Sequence, residues 1–155
     1  MEVASSRRVT TECRLVGWFG EARLILDSTE ETTMSTIDIT TIDEIEELMQ
    51  PGGPAALIDF WASWCGPCRA MAPRYEQVAE EMADEPIDFL KVDTEAHSEI
   101  SSAFNVRSLP TVVSVLDGEV QGALIGAQDV RTLKRTAGRL VSDARDEGFL
   151  ERLFS

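Results

Sequence analysis

Lysine is nearly missing from this chain: Lys91 and Lys134 are the only two in 155 residues, and the other twelve of the fourteen cations are arginine. Cations as a class are outnumbered by 28 acids, for a net charge of -14. Such a chain repels a nucleic-acid backbone or an anionic bilayer, so neither is expected as a partner. Long apolar runs are missing too, and no stretch approaches the ~20 residues that span a membrane. Arg7 and Arg8 form a twin-arginine pair, yet Glu12, Arg14, Glu21 and Arg23 interrupt the stretch after it, so no leader h-region is read and a cytoplasmic protein is expected. No glycine-rich phosphate loop is present, and with it goes the expectation of a bound nucleotide, flavin or nicotinamide. Three cysteines, Cys13, Cys65 and Cys68, are too few for a secreted disulfide framework. With the single His97 they offer one paired spacing, which excludes a four-ligand zinc site, so neither metal nor cofactor is expected. His97 is expected to be exposed and inert.

What is present is a globular composition. The hydrophobic fraction of 43% separates the chain from disordered sequences of comparable charge. An excess of acid with almost no lysine suggests adaptation to concentrated salt, as in a halophilic organism, where screening relieves the self-repulsion of a compact acidic state. The length fits one domain with room for tails. Residues 1–33 carry short apolar clusters between charges and end in the polar run Asp27 to Thr33. They are expected to be a disordered extension or a false start, with Met34 as the natural beginning and Cys13 without a role. A domain is expected over 34–141, with a helical extension or tail over 142–155.

From Thr36 the pattern alternates strand and helix. Thr36 to Ile39 reads as a short strand, and Thr41-Ile42-Asp43-Glu44 is a capping box opening an acidic helix that stops before Pro51. Ala55 to Trp61 is apolar on both faces except at Asp59, the signature of a central strand covered on both sides. A long helix is predicted over Gly66 to Ala83 with a kink at Pro73, then a strand over Ile87 to Val92 and a short helix over Ser98 to Phe104. A third core strand, Thr111 to Leu116, meets Val120 to Ile125 through the hairpin signal Asp117-Gly118. The last helix is predicted from Asp129 to at least Val141. This order gives an α/β fold: a mixed central sheet with parallel and antiparallel parts and helices on both faces.

The chemistry gathers in Trp64-Cys65-Gly66-Pro67-Cys68, at the handover from central strand to long helix. Cys65 falls at the helix N-terminus and Cys68 one turn later on the same side. Free N–H groups and the positive end of the helix dipole favour a thiolate there, which makes Cys65 the candidate nucleophile. Gly66 lets a partner backbone approach, Pro67 sits in the first turn where its missing N–H is not needed, and Cys68 is placed to close the ring. A carboxylate amid an apolar strand, Asp59, is costly to bury and points to proton transfer; its other reading is a structural carboxylate paired with Lys91. Lys91 itself reads equally as a solvated side chain or as a tuning charge.

The segment Asp59-Phe60-Trp61-Ala62-Ser63-Trp64-Cys65-Gly66-Pro67-Cys68-Arg69 resembles the active-site segment of the thioredoxin family. Lys91-Val92-Asp93, Arg107-Ser108-Leu109-Pro110-Thr111 and Ile125-Gly126-Ala127 come after it in the family's order, and the resemblance runs from about Thr36 to Val141. It implies a thioredoxin-like fold and a protein-disulfide reductase that cycles a Cys65–Cys68 disulfide and maintains thiols in client proteins. Cys65 would attack, Cys68 resolve, Asp59 assist the resolving thiol's deprotonation and Lys91 tune Asp59. Pro110 would be a cis-proline; composition alone allows the trans isomer. Trp64, Gly66, Pro67, Leu109, Pro110 and Gly126 would form the substrate-binding face, with Trp61 packed beneath. Implied partners are disulfide-bearing clients and a thioredoxin reductase, and a monomer is expected. The rivals are an oxidant or isomerase on the same fold, and a docking or chaperone module with an incidental dithiol.

Charge patterning bears on the same face. Residues 34–155 hold 22 of the 28 acids, yet Phe60 to Tyr75, Asn105 to Leu116 and Gly122 to Gln128 hold none. A uniform spread would put about six there. Buried strands account for part of this gap, and an apolar docking surface for the rest.

Overall fold

The computed structural model describes residues 35–154, side chains through Asp146; the extension 1–33, with Cys13, and the start at Met34 lie outside the described residues. Among the described residues nine elements succeed one another: β1 (Ile37–Asp38), α1 (Ile42–Leu48), β2 (Ala55–Trp61), α2 (Gly66–Glu81), β3 (Ile87–Asp93), α3 (Ser98–Ala103), β4 (Thr111–Leu116), β5 (Glu119–Ile125) and α4 (Val130–Phe154). The strands form one sheet in the order β1-β3-β2-β4-β5. β1–β3 and β3–β2 are parallel, whereas β2–β4 and β4–β5 are antiparallel, so the two kinds of pairing meet at β2.

Helix starts are set by local chemistry. Thr41 Oγ1 accepts from the Glu44 amide while Glu44 Oε2 accepts from the Thr41 amide, the reciprocal capping box read from the sequence. Asp129 Oδ1 accepts from the Thr132 amide at 2.7 Å and opens α4 in the same way. α2 runs through Pro73 and ends two residues before the expected Ala83. α4 continues thirteen residues beyond Val141, where no proline interrupts it and Gly148 is carried within the helix.

Alternation along β2 splits the core. Leu57 faces a cluster built on α2 and α4, with Met71, Tyr75, Val78, Leu133 and Ala137; Ala56, Ile58 and Phe60 face a second cluster that includes Ile45, Leu48 and Ile100 from α1 and α3. Asp59, two residues after Leu57, therefore points to the α2 side. The register pairs it with Lys91 of β3, two residues after Phe89 on that same face. Sheet geometry thus brings Asp59 and Lys91 to the α2 side of the sheet.

The β4–β5 hairpin turns through Asp117 (φ 52°) and Gly118 (φ 72°), the paired positive angles of a type I′ turn. The turn is docked as well: Asp117 Oδ1 accepts from the Gly52 amide. A Cβ on Gly118 would come within 2.7 Å of the main chain of Met49 and Gln50, which cannot swing aside. Gly118→Ala is therefore expected to cost about 3 kcal/mol, from the left-handed angle and the clash together. Urea unfolding would show this as a lower midpoint with an unchanged slope, and an unchanged midpoint would mean the turn can move.

Candidate active site

Cys65 is the N-cap of α2, with extended backbone angles (φ -81°, ψ 104°), and its Sγ accepts from the Cys68 amide at 3.3 Å. It is joined to Cys68 in a disulfide, the Cα atoms 5.3 Å apart. Both cysteines are buried, packed with Ala62 and flanked by Trp61 and Leu109. An amide aimed at the Cys65 sulfur at a helix N-terminus is the arrangement that stabilises sulfur carrying negative charge. Gly66 and Pro67 are exposed beside it, and a Cβ on Gly66 would meet nothing among the described residues within 4 Å.

Three loops close around the dithiol. The Leu109–Pro110 bond is cis, which settles the isomer that composition leaves open. The carbonyl of Pro110 accepts from the Gly126 amide at 2.8 Å, and Gly126 takes a φ of 85°, which favours glycine. Trp64 stands 68% exposed on the opposite side. Between Trp64 and the cis-proline loop lies a groove of about 300 Å³, lined also by Thr94, Ser101, Val106, Arg107, Ser108 and Leu109. Ser63 anchors the Trp64 side by donating from Oγ to Glu95 at 2.7 Å. Of the residues expected on the substrate face, Trp64 and Leu109 line this groove together, Leu109 also packs on the cysteines, and Pro110 is bonded to Gly126. Trp61 lies beneath, half-buried, its carbonyl accepting from the Thr94 amide at 2.9 Å.

Below the disulfide, Asp59 is 1% exposed and its Oδ1 has no hydrogen-bond partner among the described residues. Burial pushes its carboxyl pKa up to about 7, against a smaller opposing pull from the Lys91 ammonium. Asp59, Trp61, Cys68, Arg69, Ala72 and Lys91 line one cavity of about 100 Å³. The carboxyl and the second cysteine therefore line the same small, partly open cavity. Lys91 does not pair directly with Asp59: its ammonium lies 3.4 Å from Glu76 Oε1 and 5.7 Å from the Trp61 ring centre. This argues against a purely structural Asp59–Lys91 pair, since the lysine's close partner is on α2.

Sequence reasoning missed Glu76 and Tyr75. The Tyr75 hydroxyl reaches the carbonyl oxygens of Leu57 at 2.7 Å and Leu90 at 3.0 Å, fully buried between α2 and the sheet. Burial, and then the Asp59 charge, push its phenol well above the usual range. Tyr75 shares the buried face of α2 with Met71 and Val78. His97 is half-buried rather than exposed: it precedes α3, with Nδ1 3.7 Å from Glu99 Oε1, because the turn after β3 folds it back. Among the described residues no group of three His, Cys, Asp or Glu could hold a metal ion. No helix among them is long and apolar enough to cross a membrane.

A vicinal cysteine pair at a helix N-terminus, with a buried carboxyl below and a cis-proline loop alongside, defines a thiol-disulfide oxidoreductase. The thioredoxin family model matches residues 35–139, and the chain belongs to the thioredoxin family. It is a protein-disulfide reductase of that family. Its similarity to chloroplastic thioredoxin M4 of Arabidopsis thaliana is 29% identity over 88% of this chain and 74% of that one. Thioredoxin from Trypanosoma brucei brucei is 27% identical with a TM-score of 0.63, covering 73% of this chain and 96% of that one. A mutant thioredoxin from Halobacterium salinarum NRC-1 is 28% identical with a TM-score of 0.58, covering 68% of this chain and 90% of that one.

Proposed function

We propose that the reaction runs on Cys65 as nucleophile, Cys68 as resolving thiol and Asp59 as the group that takes the resolving proton. The observation that carries this reading is the asymmetry of the pair: Cys65 caps the helix with an amide on its sulfur, while Cys68 shares a cavity with Asp59. In the reduced protein the Cys65 thiolate attacks one sulfur of a client disulfide. A Cys65–client bond forms, and the other client sulfur leaves as a thiolate that takes up a proton. Cys68 then loses its proton to Asp59 and attacks Cys65 Sγ. The Cys65–Cys68 bond forms, the second client sulfur departs, and two electrons have passed from protein to client. A carboxyl with a pKa near 7 is suited to accept and return that proton at neutral pH. Lys91, held by Glu76, tunes Asp59 from across the cavity.

The groove beside Trp64, with Gly66, Pro67, Leu109, Pro110 and Gly126, receives the client segment in this reading. The clients are cytoplasmic proteins with accessible disulfides, and a thioredoxin reductase returns the electrons. The protein acts as a monomer without a cofactor of its own. Catalytic amounts are expected to precipitate insulin B chain in the presence of a thioredoxin reductase with its nicotinamide. Failure with every such reductase, together with a reduction potential as high as the glutathione pool, would replace the reductase by an oxidant.

The acidic surface supports a further part of the proposal, adaptation to concentrated salt. The net charge is -14 and all but two cations are arginine. Self-repulsion of this surface is expected to fall as the screening length shrinks from ~10 Å at 0.1 M to ~3 Å at 1 M salt. The urea midpoint should therefore rise between dilute buffer and molar potassium chloride. Equal midpoints would leave the acid as a solubility feature only.

A further inference from the structure

The acid-free segments are not neutral. Phe60 to Tyr75 carries Arg69 and Arg74, and Asn105 to Leu116 carries Arg107. All three are exposed. Arg69 comes directly after Cys68 on α2 and lines the cavity that reaches Asp59. Arg74 donates from Nη1 to the Gln128 carbonyl at 3.3 Å, at the loop that carries Gly126. Among the described residues Arg107 is the one charged side chain lining the groove between Trp64 and the cis-proline loop, and its Nε donates to Asn105 Oδ1.

None of these three makes an ion pair among the described residues, and neither do Arg131, Arg135 and Arg139 on α4, whereas Lys91, Lys134 and Arg145 are each bonded to a glutamate. What sets Arg69, Arg74 and Arg107 apart is their place in segments that hold no acid, in a chain with twice as many acids as cations. Of the carboxylates on neighbouring segments, Glu76 is paired with Lys91, whereas Glu95 accepts from Ser63 and Asp129 caps the start of α4, both keeping their charge. Arginine offers a planar fork that binds carboxylate with two parallel hydrogen bonds.

Resting on the reductase reading, we propose that this face selects acidic clients: polypeptide disulfides flanked within a few residues by Asp or Glu. The client cystine lies over Cys65, and its neighbouring carboxylates meet Arg107 in the groove and Arg69 and Arg74 on the α2 side. The acidic remainder of the surface repels such clients elsewhere, so only docking at the dithiol is favourable. Local complementarity of this kind sets specificity and association rate more than it sets bulk affinity.

The test uses the full chain, reduced beforehand, and two synthetic cyclic disulfide peptides with the same ring, one flanked by glutamates and one by lysines. The second-order rate of oxidation of the protein is read by acid quench and intact mass. About a tenfold preference for the glutamate peptide is expected at 0.1 M potassium chloride, shrinking to about threefold at 1 M as only contact pairs escape screening. The triple variant Arg69→Gln, Arg74→Gln, Arg107→Gln should bring the ratio to about one. Should that variant fold poorly, each single substitution should lower the ratio by about half. Removing the same charge from α4 and its far end, by Arg135→Gln, Arg139→Gln and Arg145→Gln, should leave the preference in place. Equal or faster reaction with the lysine peptide, or equal loss in both triple variants, overturns the proposal while the reductase reading stands. Reaction with neither peptide defeats the reductase reading itself.

Discussion

Cys65→Ser is expected to reduce insulin-disulfide turnover by at least about a thousandfold, roughly 4 kcal/mol of barrier, to the level of the uncatalysed dithiol background. A hydroxyl at the N-cap of α2 still accepts the Cys68 amide, so the fold is kept, but it does not ionise at neutral pH. Cys68→Ser should behave differently. Its Cys65 thiolate still attacks, and the mixed disulfide has no internal route to resolution, so a covalent client adduct should accumulate on non-reducing gels. The pair of results separates roles that a single loss of activity would not. If Cys68→Ser formed no adduct while Cys65→Ser did, the assignment of attacker and resolver would be reversed. Should Cys65→Ser retain full biological function with no turnover, the protein would be a docking module with an incidental dithiol.

The placement of the cysteine pair was legible in the sequence because it is set by near neighbours in the chain. A cysteine at a strand-to-helix handover already implies an N-cap, and Thr41 with Glu44 already implies a capping box; both depend on contacts three residues apart. The strand Ala55–Trp61 was legible from its composition, and Asp59 stood out against it. What the sequence withheld depends on neighbours far apart in the chain. The order β1-β3-β2-β4-β5 decides that Asp59 faces Lys91, and no periodicity encodes that order. Glu76 reads as one more solvated acid on α2 until the fold brings it beside Lys91. The bulge where Ser114 pairs with Gly122 but Val115 pairs with Val120 leaves Gln121 over, and one extra exposed residue in an edge strand leaves no mark on hydropathy. The cis bond before Pro110 is likewise a property of the folded loop.

The same long-range placement gives the second large expectation, in which stability and activity move in opposite directions. Asp59→Asn should stabilise the protein at pH 8 by about 4 kcal/mol and raise its Tm by roughly 10 °C. In the unfolded chain this carboxyl ionises near 3.8, whereas burial in the fold raises its pKa to about 7. Between those values the native state holds a proton that the unfolded state has released, so wild-type stability falls as pH rises through that window. Below both values nothing is lost; above both, the full difference of about 4 kcal/mol is gone. The asparagine variant never ionises, so its advantage should shrink to about 1.5 kcal/mol by pH 5 and nearly vanish near pH 3. At pH 7 the same substitution should slow disulfide turnover at least about tenfold, since Cys68 loses its proton acceptor. Urea melts of both proteins across pH 3 to 8 test the first half, and single-turnover release of client thiol tests the second. A variant no more stable at pH 8 than the wild type would mean that Asp59 is solvated in the native state. A stabilised variant with undiminished turnover would leave the buried carboxylate as a structural cost without a catalytic return.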